Sequence, residues 1–203
     1  TWPGREGQTT PVFVYTDYPE AELFVNGKSQ GRIRKTNAEA INPTTTAHPA
    51  IPAEAEGRAK RYRLMWPDVK YEPGIIRVVA YDTNGKKAME ASQRTAGKAK
   101  SIRLDADKTV LRADGQDLSY ITVSLADAKG TLLPTATDNI KVEVSGSGTF
   151  RGICNGDATS LEVFTEPQMH LFSGKLVVTV QAGKQAGKIY VKVTDTDNGL
   201  SKV

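Results

Sequence analysis

The chain has 203 residues, 38% of them hydrophobic and 25% charged, an ordinary composition for a globular protein of one large domain or two small ones. Its 27 Lys and Arg against 23 Asp and Glu leave a net charge of +4, but the basic residues are spread along the chain. The densest groups, RIRK at 32–35 and RAKRYR at 58–63, sit in no recognisable nucleic-acid module, so no nucleic-acid partner is expected. No apolar run approaches the ~20 residues of a membrane helix, so no span is expected, and the single Cys154 excludes an internal disulfide.

The elements follow a period of two. In AELFVNGKSQGRIR, Ala21, Leu23 and Val25 share one face and Glu22 and Asn26 the other, and Asn26-Gly27 supplies the positive-φ pair of a tight hairpin. A long excursion follows at 36–57, rich in Ala, Pro and Thr and without apolar period. In GIIRVVAYDTNGKKAMEA, Ile76, Val78 and Ala80 alternate with Arg77 and Val79, and Asn84-Gly85 turns the strand back. RTAGKAKSIRL, at 94–104, closes one set of strands and opens the next, with Thr95 to Ala99 small and polar like a linker. Beyond it, four further sets alternate: Ile121, Val123, Leu125; Ile140, Val142, Val144; Leu176, Val178, Val180; and Ile189, Val191, Val193. No apolar stripe of period 3.6 competes with them, so the pattern predicts an all-β protein. Two tandem immunoglobulin-like β-sandwich domains are expected, one over 1–97 and one over 98–203.

Few residues point to chemistry. Asp105 and Asp107, or Asp195 and Asp197, stand two apart and so face the same way on a strand. Solvated turn carboxylates are the simpler reading. DTDNG at 195–199 echoes a calcium loop but lacks its full spacing and downstream Glu, and reads as a hairpin turn. His48 and His170 have no partner at ligand spacing, and Cys154 reads as a small buried hydrophobe. No cofactor, metal ion or catalytic residue is expected. A sugar-binding site would need an exposed ring with polar neighbours; the rings considered for it are Trp2, Tyr18, Trp66, Tyr71, Tyr81 and Tyr120, and Trp2, Trp66, Tyr81 and Tyr120 are kept as weak candidates. Trp66 also reads as a core anchor.

The phrases YTDYPEAELFVNGKSQGR, YRLMWPDVKYEPGIIRVVAYDTNGK and QRTAG make the first half resemble the sandwich that follows the catalytic barrel in glycoside hydrolase family 2, the β-galactosidase family. TWPGREG resembles the connector leaving that barrel. ADGQDLSYITVSLADAKG, VEVSGSGTFRGICNGDATS and GKLVVTVQAGKQAGKIYVKV make the second half resemble the family's C-terminal module, related to bacterial immunoglobulin-like domains. The resemblance implies that the chain is the C-terminal third or so of a longer bacterial enzyme, located in the periplasm or outside the cell. Its partners would be the barrel and N-terminal domains of the same polypeptide, with Trp2 against the barrel, and carbohydrate is a further possible partner. Both catalytic carboxylates of such an enzyme lie on the barrel, upstream of Thr1. An independent carbohydrate-binding module and an adhesin-like spacer are the alternatives.

Overall fold

The structure, a computed structural model, describes residues 1–35 and 62–203. The excursion at 36–57, His48 within it and the first part of the basic group at 58–63 lie outside the described residues. The chain divides into two compact units, Trp2–Thr95, and Ala96–Val203 together with Thr1.

The first unit holds β1 (Val12–Tyr15), β2 (Glu20–Val25), β3 (Lys28–Arg34), β4 (Arg63–Trp66), β5 (Ile75–Tyr81) and β6 (Lys87–Arg94). They form an antiparallel sheet in the order β3-β2-β5-β6 and a two-stranded sheet, β1-β4. Ala21, Leu23 and Val25 are buried as the alternation requires, and they pack with Leu64, Trp66 and Val69 as one core. Asn26 at φ 49° and Gly27 at φ 82° close the β2–β3 hairpin in the left-handed conformation that such a turn demands. Asn26 does more than turn the chain. Its Oδ1 accepts the Ile75 N–H at 2.9 Å and its Nδ2 donates to the Pro73 carbonyl at 3.1 Å, which fixes where β5 begins. Val79, expected to face outward beside Arg77, is buried instead. It lies opposite Glu22 on β2 and Glu90 on β6, at the centre of the outer face of the sheet.

The second unit holds β7 (Ser101–Ala106), β8 (Leu118–Ala126), β9 (Asn139–Gly146), β10 (Gly148–Cys154), β11 (Gln168–His170), β12 (Lys175–Ala182), β13 (Ile189–Asp195) and β14 (Ser201–Lys202). Two antiparallel four-stranded sheets, β10-β12-β8-β7 and β11-β9-β13-β14, bring their apolar faces together. Ile121, Val123 and Leu125 meet Leu176, Val178 and Val180 in one sheet, against Ile140, Val142 and Val193 in the other. Toward one end Ile189 and Val191 are only half-buried and, with Val110, Leu111, Ile121 and Val180, line an apolar gap of about 600 Å³.

Cys154 corrects the sequence reading: it is exposed. A β-bulge between Phe150 and Gly152 is the cause. Phe150 and Ile153 are three residues apart yet both pack on the core, so the bulge has reversed the alternation and turned Cys154 outward.

Candidate functional site

Among the four candidate rings, Trp66 is disqualified by its position. It is 3% exposed on the inner face of β4, and its Nε1 donates to the Gly31 carbonyl at 3.0 Å. A sugar has no access to it. Trp2 is exposed, with the Arg5 guanidinium 4.9 Å from its ring centroid and its backbone N–H donating to the Tyr71 hydroxyl at 3.0 Å.

Tyr81 lies on the outer face of the four-stranded sheet, where the register sets Glu20 opposite Tyr81, and Glu22 opposite both Val79 and Arg32. The result is a cross-strand network of rings, guanidiniums and carboxylates. Arg32 covers the Tyr81 ring at 3.6 Å and donates to Glu20 at 2.7 Å, while the Tyr81 hydroxyl donates to Glu22 at 3.1 Å. Arg77 covers Phe24 at 4.2 Å and, with Lys87, donates to Glu90 at 3.0 and 2.7 Å. Burial, then the hydrogen bond to Glu22, pushes the Tyr81 phenol up, and the bonds from Lys87 and Arg77 hold Glu90 down. With Arg32 over one face of its ring and its hydroxyl bonded to Glu22, Tyr81 is engaged in a network that ties the strands of the sheet to one another.

Tyr120 differs. It is 48% exposed on β8, among the described residues no cationic side chain lies over its ring, and it borders an open polar hollow of about 390 Å³. The hollow is built by the loop ahead of β8, folded on its own carboxylates. Asp114 Oδ1 accepts the N–H groups of Gln116 and Asp117, both at 2.8 Å. Asp117 accepts from the Arg112 N–H and the Lys108 ammonium, both at 2.9 Å, and these bonds pull its carboxyl down to about 2. Gln181 Nε2 donates to the Gly115 carbonyl at 2.6 Å, tying the loop to β12. The exposed guanidinium of Arg112, in loose ion pairs with Asp114 Oδ2 at 3.7 Å and Asp117 Oδ2 at 3.9 Å, lines the hollow together with the exposed Gln116. Asp107, read with Asp105 as a pair, instead accepts the Tyr120 N–H at 2.7 Å, and Asp105 is exposed beside Arg103.

Asp195 and Asp197 do lie together, joined by a third carboxylate, Asp138, that sequence spacing did not indicate. One oxygen of each lies within 4.8 Å of the others. Donors already fill the space. Asp195 accepts the N–H groups of Asp197 and Asn198 at 3.0 and 3.1 Å, Asn198 Nδ2 bridges Asp195 and Asp138, and Asp197 accepts the Asn139 N–H at 3.1 Å. This is a hydrogen-bonded hairpin between β13 and β14. Burial, then the neighbouring Asp195, raises the Asp138 carboxyl. His170 Nδ1 lies 2.8 Å from Glu162, whose other oxygen accepts from Ser160.

Two apolar surfaces complete the inventory. On the outer face of β1-β4, Phe13 stands opposite Met65 and Tyr15 opposite Arg63, and all but Arg63 are exposed, Tyr15 by 72%. The Arg63 guanidinium lies 4.9 Å from the Phe13 centroid. In the second unit, the loop between β10 and β11 exposes Leu161 by 98%, with Val163 and Phe164 beside it.

Comparison with known proteins bears on both units. Residues 102–202 match the family described as glycoside hydrolase family 2 C-terminal domain 5, and residues 7–89 match a domain of unknown function, DUF4982. The chain is similar to the β-galactosidase BoGH2A of Bacteroides ovatus, 36% identical over 200 residues covering 98% of this chain and 20% of that protein. It is also similar to a β-galactosidase of Thermoanaerobacter pseudethanolicus, 23% identical over 89% of this chain and 22% of that protein. Among solved structures, a glycosyl hydrolase family 2 member from Bacteroides cellulosilyticus superposes over 97% of this chain and 24% of its own, with a TM-score of 0.81 and 32% identity. A β-glycosidase from Bacteroides vulgatus superposes over 100% of this chain and 23% of its own, with a TM-score of 0.77 and 27% identity. The chain thus spans about a fifth of the length of the curated relatives it matches.

Proposed function

The chain belongs to the C-terminal region of the β-galactosidase-like enzymes of glycoside hydrolase family 2, and we propose that its two sandwiches are non-catalytic domains that brace the catalytic barrel of the parent polypeptide. The observation that carries this reading is the aromatic outer face of β1-β4. Strand alternation sends Val12, Val14, Leu64 and Trp66 into the core and leaves Phe13, Tyr15 and Met65 side by side on the other face. A contiguous patch of this kind, edged by a guanidinium, is the composition of a surface that another protein surface covers.

The test is made in the parent enzyme. Phe13→Ser with Tyr15→Ser is expected to lower the melting temperature of the barrel, since burying a large apolar side chain is worth about 1.5–3 kcal/mol. The same pair in the isolated chain is expected to cost only the two cross-strand contacts, about 0.2–1 kcal/mol each, and to leave it folded. A parent whose barrel melts unchanged would overturn the bracing role of this face.

On this reading the isolated chain has no hydrolase activity of its own. Retaining hydrolysis needs two carboxyl groups about 5–5.5 Å apart with a sugar between them. The Asp138, Asp195 and Asp197 group approaches that spacing, but Asp195 is wholly buried and the oxygens already accept protein donors. Purified chain is expected to release no nitrophenol from nitrophenyl β-glycosides above background. Turnover that persists through repurification and is lost on substituting one of these carboxylates would contradict it.

A further inference from the structure

We propose that the hollow beside Tyr120 is a binding subsite for a neutral pyranose, a reading independent of how the barrel is braced. Tyr120 is the candidate whose ring is both exposed and uncovered, whereas Trp66 is buried and Tyr81 lies under Arg32. Pyranoses present apolar C–H faces to rings and hydroxyls to planar polar groups around them; the hollow itself is lined mainly by polar side chains, and the exposed Tyr120 ring stands at its border. Tyr120 supplies the apolar face. Arg112 and Gln116 supply donors, and Asp114 Oδ2, 3.7 Å from Arg112 Nε and outside hydrogen-bond distance, supplies an acceptor.

Charge selects the ligand class. Lys108 and Arg112 are matched by Asp114 and Asp117, so the hollow carries no net charge from these four groups and favours a neutral polyol over a phosphate or a sulfated sugar. The frame is preorganised. Asp117 and Asp114 spend their loop-facing oxygens on backbone N–H groups, and Gln181 holds the loop against β12. The volume, about 390 Å³, lies within the usual range of small-ligand sites, about 300–1,000 Å³. The larger apolar gap at the end of the same unit offers mostly aliphatic lining and fits this ligand class less well.

The experiment titrates the isotopically labelled 203-residue chain with galactose, glucose, mannose, xylose and lactose and follows backbone amides by NMR. Saturable shifts are expected at residues 108–120 with at least one sugar, at a Kd of about 1–10 mM, as suits a shallow single-residue subsite. Tyr120→Ala is expected to weaken binding about tenfold, equivalent to the loss of one ring-stacking contact, and Tyr120→Phe to retain it. Arg112→Met, at a side chain 82% exposed, is expected to weaken binding several-fold without affecting the fold, and so carries the test if Tyr120→Ala disturbs β8. Absence of saturable shifts with all five sugars, or shifts unchanged in both Tyr120→Ala and Arg112→Met, would overturn the proposal.

Discussion

Trp66→Ala is expected to destabilise the first unit by about 3–5 kcal/mol, the range for removing a large buried aromatic. Trp66 is the largest member of a small core that also contains Ala21, Leu23, Val25, Leu64 and Val69, so neighbouring side chains have little volume with which to refill the space. The substitution also deprives the Gly31 carbonyl of the indole donor that reaches it at 3.0 Å. Trp66→Phe separates the two effects, because it keeps much of the ring volume while losing that hydrogen bond, a cost of about 1–3 kcal/mol if the carbonyl stays dry. At about 4–8 °C per kcal/mol for a domain of this size, the Ala variant is expected to melt at least 12 °C lower. Calorimetry is the suitable measurement, because two compact units with separate cores are expected to give two transitions. Only the transition of Trp2–Thr95 is expected to move. If both transitions move together, the units form a single cooperative body and the division near Gly97 is wrong in thermodynamic terms.

The strands were legible because each buries one face, so the alternation of Leu23, Val123 or Val178 with polar neighbours records which side faces the core. What alternation does not record is an irregularity in the ladder. The bulge after Phe150 reverses the sense of β10, and with it the fate of Cys154, and no residue in RGIC announces it. Nor does it record what crosses from one strand to another. The pairing of Tyr81 with Glu22, 59 residues apart, depends on β2 lying against β5, and only then does Arg32 reach the ring that made Tyr81 a candidate. Tyr120 was visible as an outward ring on β8. The polar hollow beside it was not, since ADGQD reads as a turn and gives no sign of where the turn lies against the sheet. In the same way DTDNG was readable as a hairpin, while Asp138, 57 positions before Asp195, joins it only through the β9–β13 pairing.

That hairpin gives the second large effect. Asp195→Ala is expected to destabilise the second unit by about 3–5 kcal/mol, because it removes a fully buried acceptor and leaves the N–H groups of Asp197 and Asn198 and the Asn198 amide without it. Asp138→Asn is expected to act in the opposite direction. The Asp138 carboxyl is raised by burial and by the charge of Asp195, so the folded chain binds its proton more tightly than the unfolded chain does. A carboxyl shifted in this sense favours folding while it is protonated, and that contribution is lost as pH rises through the raised value. At neutral pH the wild-type Asp138 therefore opposes folding, and Asn, which still offers Asn198 an acceptor, relieves the opposition. The melting temperature of Asp138→Asn is expected to exceed that of the wild type at pH 7. The gain should shrink as pH falls through the raised value and vanish below the ordinary carboxylate value of 3.8, where both states of the wild type are neutral at this position. A gain that is constant from pH 7 to pH 3 would assign the effect to packing, and a loss at pH 7 would show that the charge of Asp138 holds the hairpin together.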